Sequence, residues 1–337
     1  MQVVLLVMFA CMSMVAKAQT NVTISGTFTA GWESIVIPSG GAPYIPGLDT
    51  AASYMGATTA GIMLNGAHSR PLSRRADAGE DIFWLSGDWG KDEHSYRNGD
   101  LGLAEIGWGR NLGPMQLNLS IGKTWAKQAL LQNNKIKAEG TYFHAEALIP
   151  VGGSFWATLG GVGLWGGADL RRRGIADIHL PDTETWGLRG RIDWESAINI
   201  DRVNLTPYAD LSYSETRIDA HTEPFFFGPI RINSSKEKIT ELRLGLNASQ
   251  PLSGSTRLLG SLEAVHRFER NGPRNSGQIL GFGSFDLPGR DYKQDWLRVC
   301  AGIEGRLGDG VASIMLNATT AGEAPSVWLA ATWQMRF

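Results

Sequence analysis

The final twelve residues of the chain, 326–337, alternate between apolar and polar side chains. One face carries Val327, Leu329, Ala331, Trp333, Met335 and Phe337, and the other carries Trp328, Ala330, Thr332, Gln334 and Arg336. Because successive side chains of a strand point to opposite faces, this pattern predicts a strand with one apolar and one mainly polar face. An open strand edge recruits partners, whereas a closed membrane barrel has no edge and places lipid outside and polar groups inside. The pattern therefore favours a membrane barrel.

The same period of two continues from residue 81 and predicts about twelve strands. Their approximate spans are 81–90, 101–110, 114–123, 139–149, 155–167, 184–195, 203–216, 237–249, 255–268, 294–307, 311–319 and 326–337. In the sixth span, Trp186 and Leu188 lie on the face opposite Arg189 and Arg191. The fifth span is apolar or glycine-rich on both faces, so its orientation stays open. The predicted fold class is an all-β, membrane-spanning, antiparallel up-and-down β-barrel of about 12 strands.

The connections between these spans alternate in length. Short ones lie at 111–113, 151–153, 251–254 and 308–310, with a somewhat longer one near 197–202, and long ones lie near 91–100, 124–138, 168–183, 217–236 and 269–293. Membrane barrels have short periplasmic turns and longer outer loops. An even number of strands puts both ends of the barrel on the short-turn side. The preceding segment is therefore expected to enter the first strand from the periplasmic mouth.

Residues 1–18 read as a secretory signal peptide. An apolar stretch, 2–15, ends at Ala16-Lys17-Ala18, a small-residue cleavage site before Gln19. No Lys or Arg precedes the apolar stretch, which departs from the usual pattern. The expected processing places the mature chain beyond the inner membrane.

The stretch 48–68 is the single good helix candidate of the mature chain. It consists mainly of Ala, Gly, Ser and Thr, Asp49 or Thr50 can cap it, and Pro71 ends it. Small side chains let a helix fit inside a confined space. Residues 19–47 are small, polar and turn-rich, and they can hold a strand near 22–32 but no domain. The barrel domain itself is predicted to span 81–337.

A soluble sandwich or barrel is the alternative for an all-β chain. Predicted strands of about ten residues match a tilted bilayer crossing, and the predicted signal peptide places the chain outside the cytoplasm. Aromatic residues near strand ends suit a membrane girdle, namely Trp89, Trp108, Trp194, Trp333 and Phe337. The 42 glycines and 12 tryptophans fit the same reading. The net charge of −2 gives no basis for a nucleic-acid partner.

Charged side chains on the inward face must pair or contact water. The predicted pore-lining residues are Glu105, Glu146, Arg189, Arg191, Asp210, Glu241, Arg243, Glu263, Arg298, Glu304, Arg306 and Arg336. Both signs occur in similar number, whereas an ion-selective filter needs one sign to dominate a constriction. The pattern therefore favours a neutralised salt-bridge network that holds the wall and the helix together.

Several stretches of the chain resemble the autotransporter translocator domain of Gram-negative bacteria. The most specific is 203–223, which reads VNLTPYADLSYSETRIDAHTE. Further matches are the strand 241–246, the strand entry 295–298, the turn 308–310 and the terminal aromatic Phe337. The resemblance covers roughly residues 48–337, and the stretch 48–68 sits where the family has its pore-threading linker.

This resemblance implies a twelve-stranded barrel in the cell outer membrane, surrounded by outer-membrane lipid. It implies insertion by the outer-membrane barrel assembly machinery through the C-terminal strand, with Trp333, Met335 and Phe337 as the assembly signal. The N-terminal segment would occupy the pore and deliver a passenger to the surface. Family members usually carry a long passenger, but here only 19–47 is available, which predicts a very short or vestigial one. Self-cleavage at Asn65-Gly66 is not favoured, because the sequence shows no matching acidic partner.

Two other functions remain open alternatives, a porin-like channel and an outer-membrane hydrolase. A hydrolase needs a nucleophile with a base, or an acid–base pair with bound water. The histidines His94, His179 and His221 fall in predicted outer loops, and no G-x-S-x-G elbow or tight metal-ligand spacing occurs. We therefore expect no catalytic residue, no cofactor and no metal.

Overall fold

The computed structural model describes residues 26–30, 33–37, 68–94, 97–130, 135–171, 178–224, 229–281, 283–289, 291–320 and 325–337. The expected signal peptide 1–18 and residues 48–67 of the expected pore helix lie outside the described residues, as does Asn65-Gly66. Among the residues described, no helix has the length and apolar character needed to cross a membrane.

Twelve long antiparallel strands form a closed ring, which confirms the predicted fold class. They are β3 (Asp81–His94), β4 (Arg97–Asn111), β5 (Gln116–Leu130), β6 (Lys135–Gly152), β7 (Phe155–Arg171), β8 (Ile178–Trp194), β10 (Val203–Ile218), β13 (Ser235–Ser253), β14 (Thr256–Arg267), β17 (Asp295–Leu307), β18 (Gly310–Thr319) and β19 (Val327–Arg336). A short strand, β9 (Ile198–Ile200), pairs with β10 inside one connection. Each barrel strand pairs with the next one in this order.

The ring closes between the last strand and the first. β19 pairs with β3 in antiparallel register from Arg336 opposite Ile82 to Val327 opposite Lys91. Beyond the strand, the backbone N–H of Phe337 donates to the carbonyl of Asp81 at 3.0 Å, and the Asp81 N–H donates back at 2.9 Å. The terminal residue is thus part of the seam.

Each barrel strand has a lipid face and a lumen face. On β8, Trp186 and Leu188 are 45% and 57% exposed, whereas Arg189 and Arg191 are buried. β7, whose orientation the sequence left open, turns Leu159 outward and buries Val162 inside the lumen. The alternation that predicts the strands therefore also fixes their orientation in the membrane.

The short connections lie at one end of the ring. Gly113 and Gly308 take φ values of +95° and +61° there, a region that favours glycine. At the other end the strands run farther than predicted, so most of 91–100, 124–138 and 168–183 is strand rather than loop. The predicted strand ends lie where apolar residues stop on the outward face. Above the lipid, outward residues such as Lys123 and Lys137 face water, so alternation continues without an apolar face.

The two longest outer connections carry strands of their own. These are β11 (His221–Glu223), β12 (Ile230–Ile232), β15 (Asn275–Ile279) and β16 (Gly283–Leu287), and they form a second sheet together with β1 (Gly26–Ala30) and β2 (Glu33–Ile37). β1 pairs with β16 in antiparallel register, and β2 pairs with β1. An N-terminal hairpin therefore extends a sheet built from the outer connections.

Candidate functional site

The candidate site is the lumen, where residues 68–80 precede the first barrel strand; we call them the plug segment. Pro71 begins a short 3₁₀ turn that ends at Arg74. Wall side chains bind the backbone of this segment. Arg189 Nη1 donates to the carbonyl of His68 at 2.8 Å, and Arg191 Nη1 donates to that of Ser69 at 2.9 Å. The segment is therefore anchored to β8.

Other strands hold the same segment nearer the short-turn mouth. Gln116 of β5 accepts from the Ala76 N–H at 2.8 Å and donates to the Arg74 carbonyl at 2.7 Å. Gln334 of β19 donates to the Ser73 carbonyl at 2.8 Å. These bonds satisfy backbone groups that are otherwise costly to bury. The plug segment thus has fixed partners on several sides of the ring.

A buried carboxylate, Glu105 of β4, connects the plug segment to the wall. Its wall donors are Trp84 Nε1 at 2.8 Å, Tyr142 Oη at 2.9 Å and Ser120 Oγ at 3.1 Å. From the plug segment, His68 Nε2 approaches to 3.0 Å and Arg74 Nη2 to 3.5 Å. We call these residues the Glu105 centre.

Glycines on the lumen face make room for the aromatic donors. A Cβ at Gly107 would overlap the Trp84 ring, and a Cβ at Gly122 would overlap the Tyr142 ring. Each ring therefore lies flat across the neighbouring strand and points its polar atom at Glu105. Glycine in a strand commonly marks such a close approach.

A second buried carboxylate, Glu263 of β14, is built on the same plan. Tyr208 Oη donates to it at 2.6 Å and crosses Gly245, where a Cβ would overlap the ring. Arg243 Nη1 donates to Glu263 at 2.7 Å, and Arg298 Nη1 lies 3.7 Å away. Arg243 and Arg267 also bind Glu241 at 2.5 and 2.7 Å. We call Glu263, Glu241, Tyr208 and these three arginines the Glu263 centre.

The predicted inward-facing charges fall into two groups. Nine are buried, namely Glu105, Glu146, Arg189, Arg191, Asp210, Glu241, Arg243, Glu263 and Arg298. Arg189 pairs with Asp210 at 2.6 Å. Arg191 pairs at 2.5 Å with Asp193, which is not among the predicted pore-lining residues. Glu304 is half-buried, while Arg306 and Arg336 are exposed at the short-turn end.

Part of the lumen is apolar, which the alternation pattern did not predict. It lies toward the outer ends of neighbouring strands and is lined by Leu101, Leu103, Ala126, Ile136, Val162, Leu164, Ala168, Leu170, Leu180 and Ile218. We call this surface the apolar wall. On β4 the lumen face changes from Leu101 and Leu103 to Glu105 within five residues. The apolar residues on the predicted polar face of β4 were the sequence feature that could have indicated this surface.

This geometry defines the class of protein: a closed β-barrel with an apolar outer face and a polar, partly plugged lumen, which is an outer-membrane barrel. The sequence profile of the autotransporter β-domain matches residues 83–319. The chain belongs to the autotransporter β-domain family. It is an outer-membrane translocator or anchor domain of a Gram-negative bacterium.

Solved structures give the same fold. The translocator domain of the autotransporter NalP from Neisseria meningitidis has a TM-score of 0.61 at 13% identity and covers 85% of this chain and 98% of that chain. The β domain of the Bordetella autotransporter BrkA has a TM-score of 0.54 at 11% identity, covering 76% and 99%. The transport unit of AIDA-I from Escherichia coli has a TM-score of 0.52 at 12% identity, covering 84% and 96%. No curated protein sequence matches the chain.

Proposed function

We propose that the barrel carries residues 19–47 through its own lumen and holds them at the outer side. The observation that carries the proposal is the placement of two parts of the chain. The plug segment is bonded inside the lumen at the short-turn end, and β1 is paired with β16 of an outer connection. A path along the lumen joins a hairpin at the outer side to residue 68 inside the barrel, which supports the proposal.

The apolar wall supports this path. It offers buried leucine, isoleucine and valine side chains toward the outer half of the lumen. Residues 50–67 carry no charged side chain, so they suit contact with such a surface. A helix of about 20 residues spans roughly 30 Å, which matches the thickness of the hydrocarbon core. The expected helix 48–68 is therefore the occupant that we assign to the apolar wall.

The C-terminal strand is the part that we propose the barrel assembly machinery recognises. Trp333, Met335 and Phe337 lie on the outward face of β19, and Phe337 is 63% exposed. Lipid-facing side chains remain accessible to a partner until insertion is complete. We expect Phe337→Ser to lower the amount of folded barrel in outer membranes, whereas unchanged insertion would contradict this role.

An epitope inserted after Thr20 tests the outward path. We expect proteases and antibodies to reach this tag on intact cells. Two control tags calibrate the assay. One after Gly254, in a short turn, should be reached only after the outer membrane is permeabilised, and one after Gly272, in an outer connection, should be reached at once. A tag after Thr20 that behaves like the Gly254 tag would overturn the proposal.

We further propose that the domain acts without a catalytic step of its own. The carboxylates Glu105 and Glu263 are each engaged by several hydrogen-bond donors, which suits a structural role better than proton transfer. The plug segment also argues against an open, porin-like channel. Steady conductance of the full-length protein in planar bilayers would favour the channel reading instead.

A further inference from the structure

Two buried residues beside the Glu105 centre, together with His68 of that centre, form a group of possible metal-binding atoms. His68, His144 and Glu146 each bring one such atom, and these atoms lie within 4.8 Å of one another. All three residues are buried in the lumen. We propose that they form a binding site for a divalent transition-metal ion, best suited to Zn²⁺, that ties the plug segment to the barrel wall.

His144 of β6 gives the first reason. Among the described residues, neither of its ring nitrogens has a hydrogen-bond partner, although the side chain is fully buried. Its ring lies against that of His68, with 3.9 Å between the ring centroids. A buried polar atom without a partner is costly, and a neutral imidazole is the commonest metal ligand in proteins.

Glu146, also on β6, gives the second reason. Asn118 Nδ2 donates to its Oε1 at 3.1 Å, and Gln116 Nε2 holds the Asn118 amide oxygen at 2.7 Å. This chain of hydrogen bonds orients the carboxylate. The other oxygen, Oε2, is buried and has no hydrogen-bond partner within the described part of the chain. Orientation of a ligating group by outer hydrogen bonds is a regular feature of metal sites.

His68 of the plug segment supplies the third ligand. Arg74 Nη1 lies 2.5 Å from its Nδ1, and an arginine can only donate, so Nδ1 accepts and Nε2 carries the proton toward Glu105. The lone pair for a metal is therefore that of Nδ1. Arg74 has to release this contact, but it keeps Ser86 at 3.2 Å and Glu105 at 3.5 Å. A carboxylate on the second nitrogen is the usual support for a metal-bound histidine.

Ligand type and charge favour this class of ion. Two imidazoles and one carboxylate form a zinc-type ligand set with a fourth position for water, and imidazole disfavours Mg²⁺ and Ca²⁺. Tetrahedral ligand atoms at zinc bond lengths lie about 3.4 Å apart, so the donors need an inward shift of at most about 1.4 Å. Glu105 and Glu146 bring two negative charges against one positive charge on Arg74, and the nearby Arg189 is itself paired with Asp210 at 2.6 Å. A dication therefore enters surroundings that carry a net negative charge.

The test uses full-length protein folded in detergent with and without Zn²⁺ and then desalted. We expect one zinc ion per chain by elemental mass spectrometry and a higher midpoint of thermal unfolding, because an ion that binds only the folded state stabilises it. Co²⁺ as a probe should give the visible absorption of a tetrahedral site. His144→Leu and Glu146→Gln should lose the bound zinc, whereas His179→Leu in an exposed outer hairpin should keep it.

Each outcome decides the question. Zinc retained by the wild type and lost in both variants supports the site, provided that the variants still migrate as folded barrels on gels without heating. Zinc bound equally by wild type and His144→Leu would mean adventitious surface binding. Only traces of zinc in the wild type would mean that water or another part of the chain satisfies His144. Either of the last two results overturns the proposal.

Discussion

Glu105 and Glu263 are buried carboxylates with the same construction and different partners. Both receive a hydrogen bond from an aromatic side chain that crosses a lumen-facing glycine. Glu105 also binds His68 and Arg74 of the plug segment. Glu263 binds Arg243 and Arg298, which both belong to barrel strands. One centre joins the wall to the plug, and the other joins the wall to itself.

This difference separates two properties that a lumen network can control. Removing one partner of a buried ion pair leaves an uncompensated charge, so both centres affect stability. Only the Glu105 centre also holds the segment that fills the short-turn mouth. We therefore expect substitutions at the Glu105 centre to change both stability and pore closure, and substitutions at the Glu263 centre to change stability alone.

The largest effect should come from Arg243→Met. It removes the guanidinium that Glu241 and Glu263 share, and leaves Glu241 with Arg267 at 2.7 Å and Glu263 with Arg298 at 3.7 Å. Breaking a buried pair by removing one partner costs about 3–5 kcal/mol. Urea unfolding in detergent measures the loss. The control Arg257→Met removes an exposed guanidinium 3.5 Å from Glu304, which is worth about 0–1 kcal/mol. Bilayer conductance should not change in either variant, and an opened pore in Arg243→Met would erase the contrast between the centres.

Glu105→Gln should have a smaller effect on stability and a larger effect on the pore. A hydrogen bond to a charged group contributes about 1.5–3 kcal/mol, and the amide keeps part of the network. His68 and Arg74 lose their anionic partner, so we expect single-channel conductance to rise. Glu139→Gln is the control, because Glu139 pairs with Lys137 on the exposed part of β6, away from the plug segment. A closed pore in Glu105→Gln would show that this centre does not hold the plug segment.

Gly107→Ala tests whether the lumen-facing glycines are needed to make room for the aromatic rings. A methyl group there meets the Trp84 ring, and overpacking of this kind costs about 1–3 kcal/mol. The displaced indole should also show altered near-ultraviolet circular dichroism. Gly190→Ala on β8 is the control, since its nearest contact would be Leu159 at 3.9 Å. Equal stability of both variants would mean that the Trp84 ring does not need the space above Gly107.

The smallest effect is expected at an ion pair above the membrane. Asp169 hydrogen-bonds His179 at 2.7 Å, and this bond together with the Asp169 charge raises the pKa of His179. A raised pKa in the folded state means that the pair stabilises the outer hairpin at low pH and loses this effect as pH rises through that pKa. NMR titration should show the histidine pKa fall in Asp169→Asn. Asp182→Asn, a weaker charge contribution, should lower it less.

Alternation in the sequence predicted the barrel because each strand has two different environments. The twelve strands and the burial of residues such as Arg243 follow from a period of two. The partners did not follow: nothing along the sequence joins Glu105 to His68, or Tyr208 to Glu263, because strand register and ring closure bring them together. For the same reason, His68, His144 and Glu146 show no metal-ligand spacing along the sequence.

The apolar wall escaped prediction for a different reason. Alternation identifies which residues share a face, but an apolar residue on the lumen face resembles one that faces lipid. Val162 and Leu164 occur in a strand that is apolar on both sides, so alternation does not indicate which side faces the lumen. The extended outer hairpins were missed because their outward faces are polar, although the backbone pairing continues beyond the lipid.

The seam between β19 and β3 affects the order in which the barrel assembles. Every other neighbouring pair of strands is close in sequence and can form as the chain is exported. The β19–β3 pair instead joins Asp81 to Phe337 across nearly the whole domain. Closing a loop of that length costs on the order of 5 kcal/mol in chain entropy. Until the last strand has been translated and exported, the ring stays an open sheet with two unsatisfied edges. Ring closure is therefore a late step of folding. A catalyst that held both sheet edges at once would accelerate ring closure.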